Sequence, residues 1–555
     1  MARPDAKNQI MTRFGSREKS QWLFALPLVL SVTLFFILPY CASLTPLAGG
    51  GEAISLLKNS AFLSIMLFTL KQSFFSVLVS LLIGIPGALL VGSGKSRITP
   101  LFRIIFSIPF AVPSILAVMG FVLFFGNSGW VNTFLKFITG STEGPIRILY
   151  KPEAIILAHG FFNFPLVIRL VGDGIARAKK SYASAAANLG ATPLMTSLTV
   201  ILPLSLPAIL SSVLLVFLYS FTSFAVVLVL GGGPASTTLA VEIYRHARIF
   251  LNYQNAGVLA LTETLIAVSV FCTYIFFGRK SGGIKPEIEA QYSDIKVYPS
   301  GIKILVLIYV TIIGIFILGP LLSVILESFL FQNSRSALPV FGLRWWRMVD
   351  TWLPALFRSL VLAFLSSGLS CILAISAAQS IKISEKKRNN ILSGFVRFCA
   401  SAPVVSSGIV LGLGWLILYG RRSSPFVLVL LHGIMALPFS FNSIYEGFRS
   451  IPDNNLDAAA ILGAGPFRSL VTVTLPLSRR RIRSAWAFAA SLSLGEINTV
   501  IMLGIENYET LPLYIYRAMG AYRYGTACAA GTLLILCCTA CFLFSEYAAG
   551  KTSSC

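Results

Sequence analysis

A carboxylate, Glu496, stands inside an otherwise apolar stretch, SLGEINTVIMLG, with Ser493, Asn498 and Thr499 beside it. A charge in hydrocarbon is expensive, so a glutamate there must face protein, water or a passing solute. Three chemistries are open to it: a structural hydrogen bond or interhelical ion pair, a weak station for a cationic solute, or proton movement. Proton movement would call on a second titratable group in the apolar stretches, such as Lys71 or Arg169. At an interval of 273 residues, Ser223 takes the place of Glu496, with Ser220 and Thr222 near it and Gly231, Gly232 and Gly233 following. Ser220, Ser223, Glu496 and Asn498 are therefore the candidate lining of a path, hydroxyl-bearing on one side and anionic on the other.

Little else in the chain could do chemistry. An enzyme would have to use His159 or His432, which stand at matching positions, each followed by glycine, and read as shared architecture near helix ends. Cys537 and Cys538 with Cys541 one turn on are not accompanied by histidine or carboxylate in their stretch, so no metal site is expected and they read as small hydrophobes. GSGKSR at 92 to 97 lacks the leading glycine of a phosphate-binding loop and reads as a positively charged turn. No catalytic residue and no cofactor are expected in this chain.

The elements that must position these residues are membrane helices. Of 555 residues, 56% are hydrophobic and 12% charged, about half the charge of a soluble protein, and the mean hydropathy is +0.81. Windows of about 19 residues mark spans near 22–42, 63–91, 104–126, 154–172, 204–230 and 256–277, then 304–326, 356–378, 402–420, 424–445, 484–504 and 528–546. The first is read as a retained span rather than a cleaved signal. Alternating the connecting segments puts 28 of the 44 Lys and Arg on one side. Lys and Arg are retained on the cytoplasmic face, which places both termini there in a multi-pass cytoplasmic membrane protein. The net charge of +23 is spent on that bias, and no nucleic-acid partner is expected beside the lipid bilayer.

The fold class that follows is all-α and polytopic, with about twelve transmembrane helices in two six-helix repeats. A tail (1–21) precedes the first repeat (22–280), and a linker (281–303) leads to the second (304–550). His159, Pro165, Gly190 and Pro203 recur as His432, Pro438, Gly463 and Pro476 at an offset of 273, while Pro109, Gly120 and Gly126 recur as Pro403, Gly414 and Gly420 at 294. Both copies of the matched segment fall between the fourth and fifth spans, so the repeats are parallel. SYASAAANLGA and NLDAAAILGAG predict short alanine-rich helices ended by glycine, followed by a turn and by ILP or TLP leading back into the membrane. Ordinary interfacial helices are the alternative, but two copies with the same interval from glycine to proline favour matching docking surfaces.

These segments resemble the signature of the fused inner-membrane permeases of binding-protein-dependent ABC importers, in the branch that takes thiamine or ferric iron. That signature runs EAA, three residues, glycine, nine residues, then I, one residue and LP. Ser184, Ala185, Ala186, Gly190, Ile201 and Pro203 fall near it, as do Asp457, Ala458, Ala459, Gly463, Thr474, Leu475 and Pro476. Ser184 replaces the acid in the first copy and Asp457 shortens it in the second, so the first copy is the expected weaker site. The resemblance implies a type I permease fold that docks a separate cytoplasmic ATPase, two copies of it carrying ATP and magnesium, and an external or periplasmic solute-binding protein. SFTSFAVVLVLGGGPASTTLAVEIY and SLGEINTVIMLG look most like thiamine permeases, with ferric iron second. A secondary transporter of two six-helix halves is the alternative from another class, and it leaves the paired segments unexplained.

Overall fold

A computed structural model of the chain describes residues 21–45, 59–92, 112–231, 233, 236–280, 300–331, 339–420 and 424–550. The tail (1–20), the basic link with Lys95, Arg97 and Arg103, Pro109, Gly232, most of the linker (281–299) and Lys551 lie outside them. Among the described residues the architecture is helical, with one two-stranded antiparallel sheet, Leu330–Phe331 with Val340–Phe341. Among the described residues, nine helices are long and apolar enough to cross a membrane, and eleven if each of two bent pairs is one span. Eleven of the twelve expected stretches overlap them, the 104–126 stretch being described only from residue 112 and the 204–230 stretch leaving its helix at Phe221. The expected span at 484–504 is different. Leu475–Gly495 carries four arginines, Arg479, Arg480, Arg481 and Arg483, and the chain leaves the helix at Glu496 before a short helix, Asn498–Leu503.

Backbone hydrogen bonding explains the breaks. Leu206–Phe221 leaves the short helix before it at a 58° bend beside Ser205. Pro207 has no N–H to give to Pro203, whereas its counterpart in the second half, Arg480, has one, and Leu475–Gly495 runs through unbroken. Asn390–Val405 and Gly408–Tyr419 meet at 98°, where the Ser407 hydroxyl accepts the Ile409 N–H at 3.2 Å. Three five-residue π-helical turns, Thr33–Ile37, Ser197–Ile201 and Leu470–Thr474, each end just before a Leu-Pro pair. The leucine N–H bonds five residues back, from Leu202 to Ser197 and from Leu475 to Leu470. A wider turn relieves the clash between a proline ring and the carbonyl four residues before it.

The helices form two compact units that interleave the chain. One draws on Met1–Thr45, Val349–Tyr514 and Leu533–Cys555, the other on Pro46–Met348 and Ile515–Thr532. In the first unit Gln21–Leu44 lies against second-half helices. Trp415 Nε1 donates to Phe35 O at 3.2 Å, Ser380 Oγ donates to Gln21 O at 2.9 Å, and Gly414 abuts the Pro39 carbonyl so closely that a Cβ would collide with it. In the second unit the reciprocal arrangement holds. Gly120, the repeat partner of Gly414, abuts the Pro320 carbonyl of Ser300–Glu327, and Tyr309 Oη donates to Ile83 O at 2.7 Å. Small residues let membrane helices approach to backbone contact, where packing rather than water exclusion holds them together. Each unit is also built on one long parallel pair, Ser60–Gly92 with Pro152–Asn188 and Val349–Lys386 with Phe426–Arg449. Gly160 faces Val79 across one pair, and its counterpart Gly433 faces Ser366 and Leu369 across the other.

Candidate functional site

The two alanine-glycine segments share a backbone design. Gly190 and Gly463 have φ of +81° and +84°, left-handed values that suit glycine. Beyond them the Ala191 N–H bonds to Ala186 O at 3.1 Å and the Ala464 N–H to Ala459 O at 2.9 Å, the six-to-one closure of a glycine-terminated helix. Ala186 and Ala459 are buried, while Ala185 and Ala458 are exposed, as are Pro203 and Pro476. Ile201 and Thr474, two residues before those prolines, are both buried.

Sequence reasoning missed the leucines just before the two glycines. Leu189 is 87% exposed and Leu462 86%, with Ile461 equally open beside the latter. A large apolar side chain presented by a tight helix end, twice and at matched positions, is what a protein contact needs. Their recurrence at the 273-residue interval was the available signal.

The copies differ in how they join the membrane helices. Ser184, Ala185 and Ala186 do not lie on a separate short helix, as expected, but on the last turns of Pro152–Asn188, a single 37-residue helix. Asp457, Ala458 and Ala459 do lie on a separate helix, Asp453–Ile461, because Pro452 cannot continue Phe426–Arg449 and biases Ile451 away from the helical region. The joint is held by Val349–Lys386. Lys382 Nζ donates to Phe448 O at 2.5 Å and to Ile451 O at 3.2 Å, and Lys386 pairs with Asp457. Glu385, between them, accepts from Tyr445 Oη at 2.9 Å and pairs with Arg397, whose guanidinium lies 4.8 Å from the centre of the Tyr445 ring.

The residues expected to line a path stand at matched helix breaks. In one unit, Leu206–Phe221 stops at Thr222 and a new helix, Ala225–Leu230, starts two residues after half-buried Ser223. Buried Ser220 accepts from Asn163 Nδ2 at 3.1 Å, and its carbonyl accepts from Gln72 Nε2 at 3.0 Å. In the other unit, Glu496 Oε1 accepts the N–H groups of Asn498 at 2.9 Å and Thr499 at 3.1 Å. It thereby caps the second half of a broken helix, a place where both the free N–H groups and the helix dipole favour a carboxylate. Asn498 gives its backbone to that cap, and its side-chain oxygen is buried with no partner among the described residues.

His432 spans the same break. Its Nδ1 lies 2.8 Å from Ser493 Oγ and its Nε2 3.1 Å from Thr499 Oγ1, one contact on each side of Glu496. His159 makes only the Nδ1 contact, 3.2 Å from Ser76 Oγ, because Val226 stands where the second half has Thr499. Neither histidine is near a helix end: both are buried well inside Pro152–Asn188 and Phe426–Arg449. Among the described residues no group of three His, Cys, Asp or Glu is placed to hold a metal, and Cys537, Cys538 and Cys541 are free thiols.

Comparisons with known proteins agree with this architecture. Residues 84–279 and 370–553, together more than half of the chain, match the family described as binding-protein-dependent transport system inner membrane component. The chain is 28% identical over 517 residues to the thiamine transport system permease protein ThiP of Brucella suis biovar 1 (strain 1330), covering 91% of each. It is 27% identical to the ThiP of Escherichia coli (strain K12), covering 90% of this chain and 91% of that protein. The ferric transport system permease protein FbpB of Actinobacillus pleuropneumoniae is 23% identical, over 91% of this chain and 72% of that protein. Two matches to one transport component, each holding one copy of the alanine-glycine-proline segment, leave no support for a secondary transporter: the chain belongs to the family of binding-protein-dependent transport system inner membrane components and is the non-catalytic permease subunit of an ABC importer.

Proposed function

We propose that this permease carries thiamine across the cytoplasmic membrane. The observation that carries the reading is end-to-end similarity to thiamine permeases, over nine-tenths of both chains. The chemistry agrees with it: Glu496 is a lone carboxylate at a helix break, and thiamine carries a permanent positive charge on an aromatic ring. A single carboxylate shared with two backbone N–H groups attracts such a cation without caging it, which permits release. Ferric iron is the second reading, favoured by the likeness to FbpB. No His, Cys, Asp and Glu cluster among the described residues favours it from within.

In this reading the chain forms twelve spans in two parallel six-helix repeats, 22–280 and 304–550, with the tail (1–21), the linker (281–303) and both termini in the cytoplasm. Ser184, Ala185, Ala186, Gly190 and Pro203 dock one copy of an ATPase that binds ATP with magnesium. The segment that carries Asp457, Ala458, Ala459, Gly463 and Pro476 docks the other. Exposed Leu189 and Leu462 support these as protein contacts. A periplasmic solute-binding protein delivers the cargo, and Ser220, Ser223, Glu496 and Asn498 line its path.

The deciding experiment is uptake into proteoliposomes holding the permease and its ATPase, with thiamine or ferric iron delivered by its cognate binding protein. Thiamine uptake driven by ATP is the expected result. Iron uptake without thiamine uptake would overturn the reading.

A further inference from the structure

The cytoplasmic end of Val349–Lys386 sends three of its last five side chains to three other elements. Lys382 reaches the end of Phe426–Arg449, Glu385 reaches Arg397 and Tyr445, and Lys386 reaches Asp457 on Asp453–Ile461. Residues four apart share a helix face, so Lys382 and Lys386 act on the docking segment together. Their tasks differ. Pro452 ends one helix, and the Lys382 ammonium takes two carbonyls at the joint: Phe448 O, which also accepts the Ile451 N–H at 3.4 Å, and Ile451 O. It is half-buried, and a charged donor on the carbonyl end of a helix is favoured by both hydrogen bonding and the helix dipole. Lys386 and Asp457 are each about half exposed, 54% and 53%, so their pair sets direction more than stability.

We propose that Lys382 and Lys386 are positioning residues that clamp the second docking segment to helix 349–386, and that Asp457 is held from within the permease and does not bind the ATPase. The inference rests on the docking reading above and deepens it. With the clamp closed, a displacement of Leu462 by the ATPase moves the joint and the membrane helix that holds it. The acid of this segment thus serves the coupling of ATP hydrolysis to transport without crossing the interface.

The complete transporter in proteoliposomes, with ATPase and loaded binding protein, tests this through the ratio of solute moved to ATP hydrolysed. Lys386→Asp and Asp457→Lys are each expected to lower that ratio by about fivefold, the upper range for an exposed pair, and the two together to restore it to within about twofold of the original. Lys382→Met should lower it by about tenfold while the ATPase still co-purifies, and Lys382→Arg, which keeps donors at the joint, should restore it. A double exchange as impaired as Asp457→Lys alone, with ATPase association lost, would make Asp457 an interface residue and overturn the proposal. So would an unchanged ratio in Lys382→Met. Should Lys382→Met not fold, the charge exchange and the arginine variant decide. Failure of the unaltered permease to bind or stimulate the ATPase would count against the docking reading instead.

Discussion

Glu496 separates two roles within one side chain. Its Oε1 caps Asn498–Leu503 through two backbone N–H groups, and its charge stands at the helix break. Glu496→Gln keeps a carbonyl acceptor for the cap and removes the charge. It is expected to fold normally and slow thiamine uptake, most visibly when loaded binding protein is not limiting. Glu496→Ala removes both, and should also lower stability by about 1–2 kcal/mol, read as a lowered melting temperature in detergent. Unchanged uptake by the glutamine variant would assign the residue to structure alone. His432 belongs to the same scale: its contacts with Ser493 and Thr499 bridge the break, so His432→Ala should loosen it and lower stability more than His159→Ala, whose ring holds one contact.

Among the elements, the glycine-ended helices have the sharpest requirements. Gly463→Val forces a β-branched residue into a left-handed backbone at a cost of about 1–2 kcal/mol, and it should impair ATPase-coupled transport more than a similar change on a lipid-facing turn. Gly190 has the same backbone, yet its segment continues from an unbroken 37-residue helix, so Gly190→Val is expected to be the better tolerated. Co-purification of the ATPase with each variant checks the order. Leu462→Ser isolates contact from conformation, because its side chain is exposed and its backbone ordinary. It should leave thermal stability unchanged and weaken ATPase association.

On the scale of the whole molecule, each compact unit includes a first span drawn from the other half of the chain. The helix 21–44 touches Gly414 at Pro39, and the helix 300–327 touches Gly120 at Pro320. Gly414→Leu or Gly120→Leu should prise the first span from its unit, an overpacking cost of about 1–3 kcal/mol visible as increased proteolysis or a lower melting temperature. Topology is testable independently. Cysteines introduced near Gly190 and Gly463 in a background without native cysteines should label from the cytoplasmic face together. Labelling from opposite faces would remove the paired docking sites.

The amino-acid sequence by itself determined the helical membrane class, the internal repeat and the positions of both glycine-ended segments, because hydropathy is additive along the chain and glycine and proline act on their own backbone. The nine long apolar helices among the described residues, and the two bent pairs, were legible for the same reason. The stretch at 484–504 departs from the expected span, because its helix, Leu475–Gly495, carries four arginines in its first half and ends at Glu496. Only the tertiary structure decided which helices meet: the exchange of first spans, the hold of Lys382 on the carbonyls at the joint after Phe426–Arg449, and the engagement of Asp457 by Lys386. Those partners lie between about 65 and 380 residues apart, and their meeting depends on which backbone groups each break leaves unpaired and on where close-packed glycines let two helices touch.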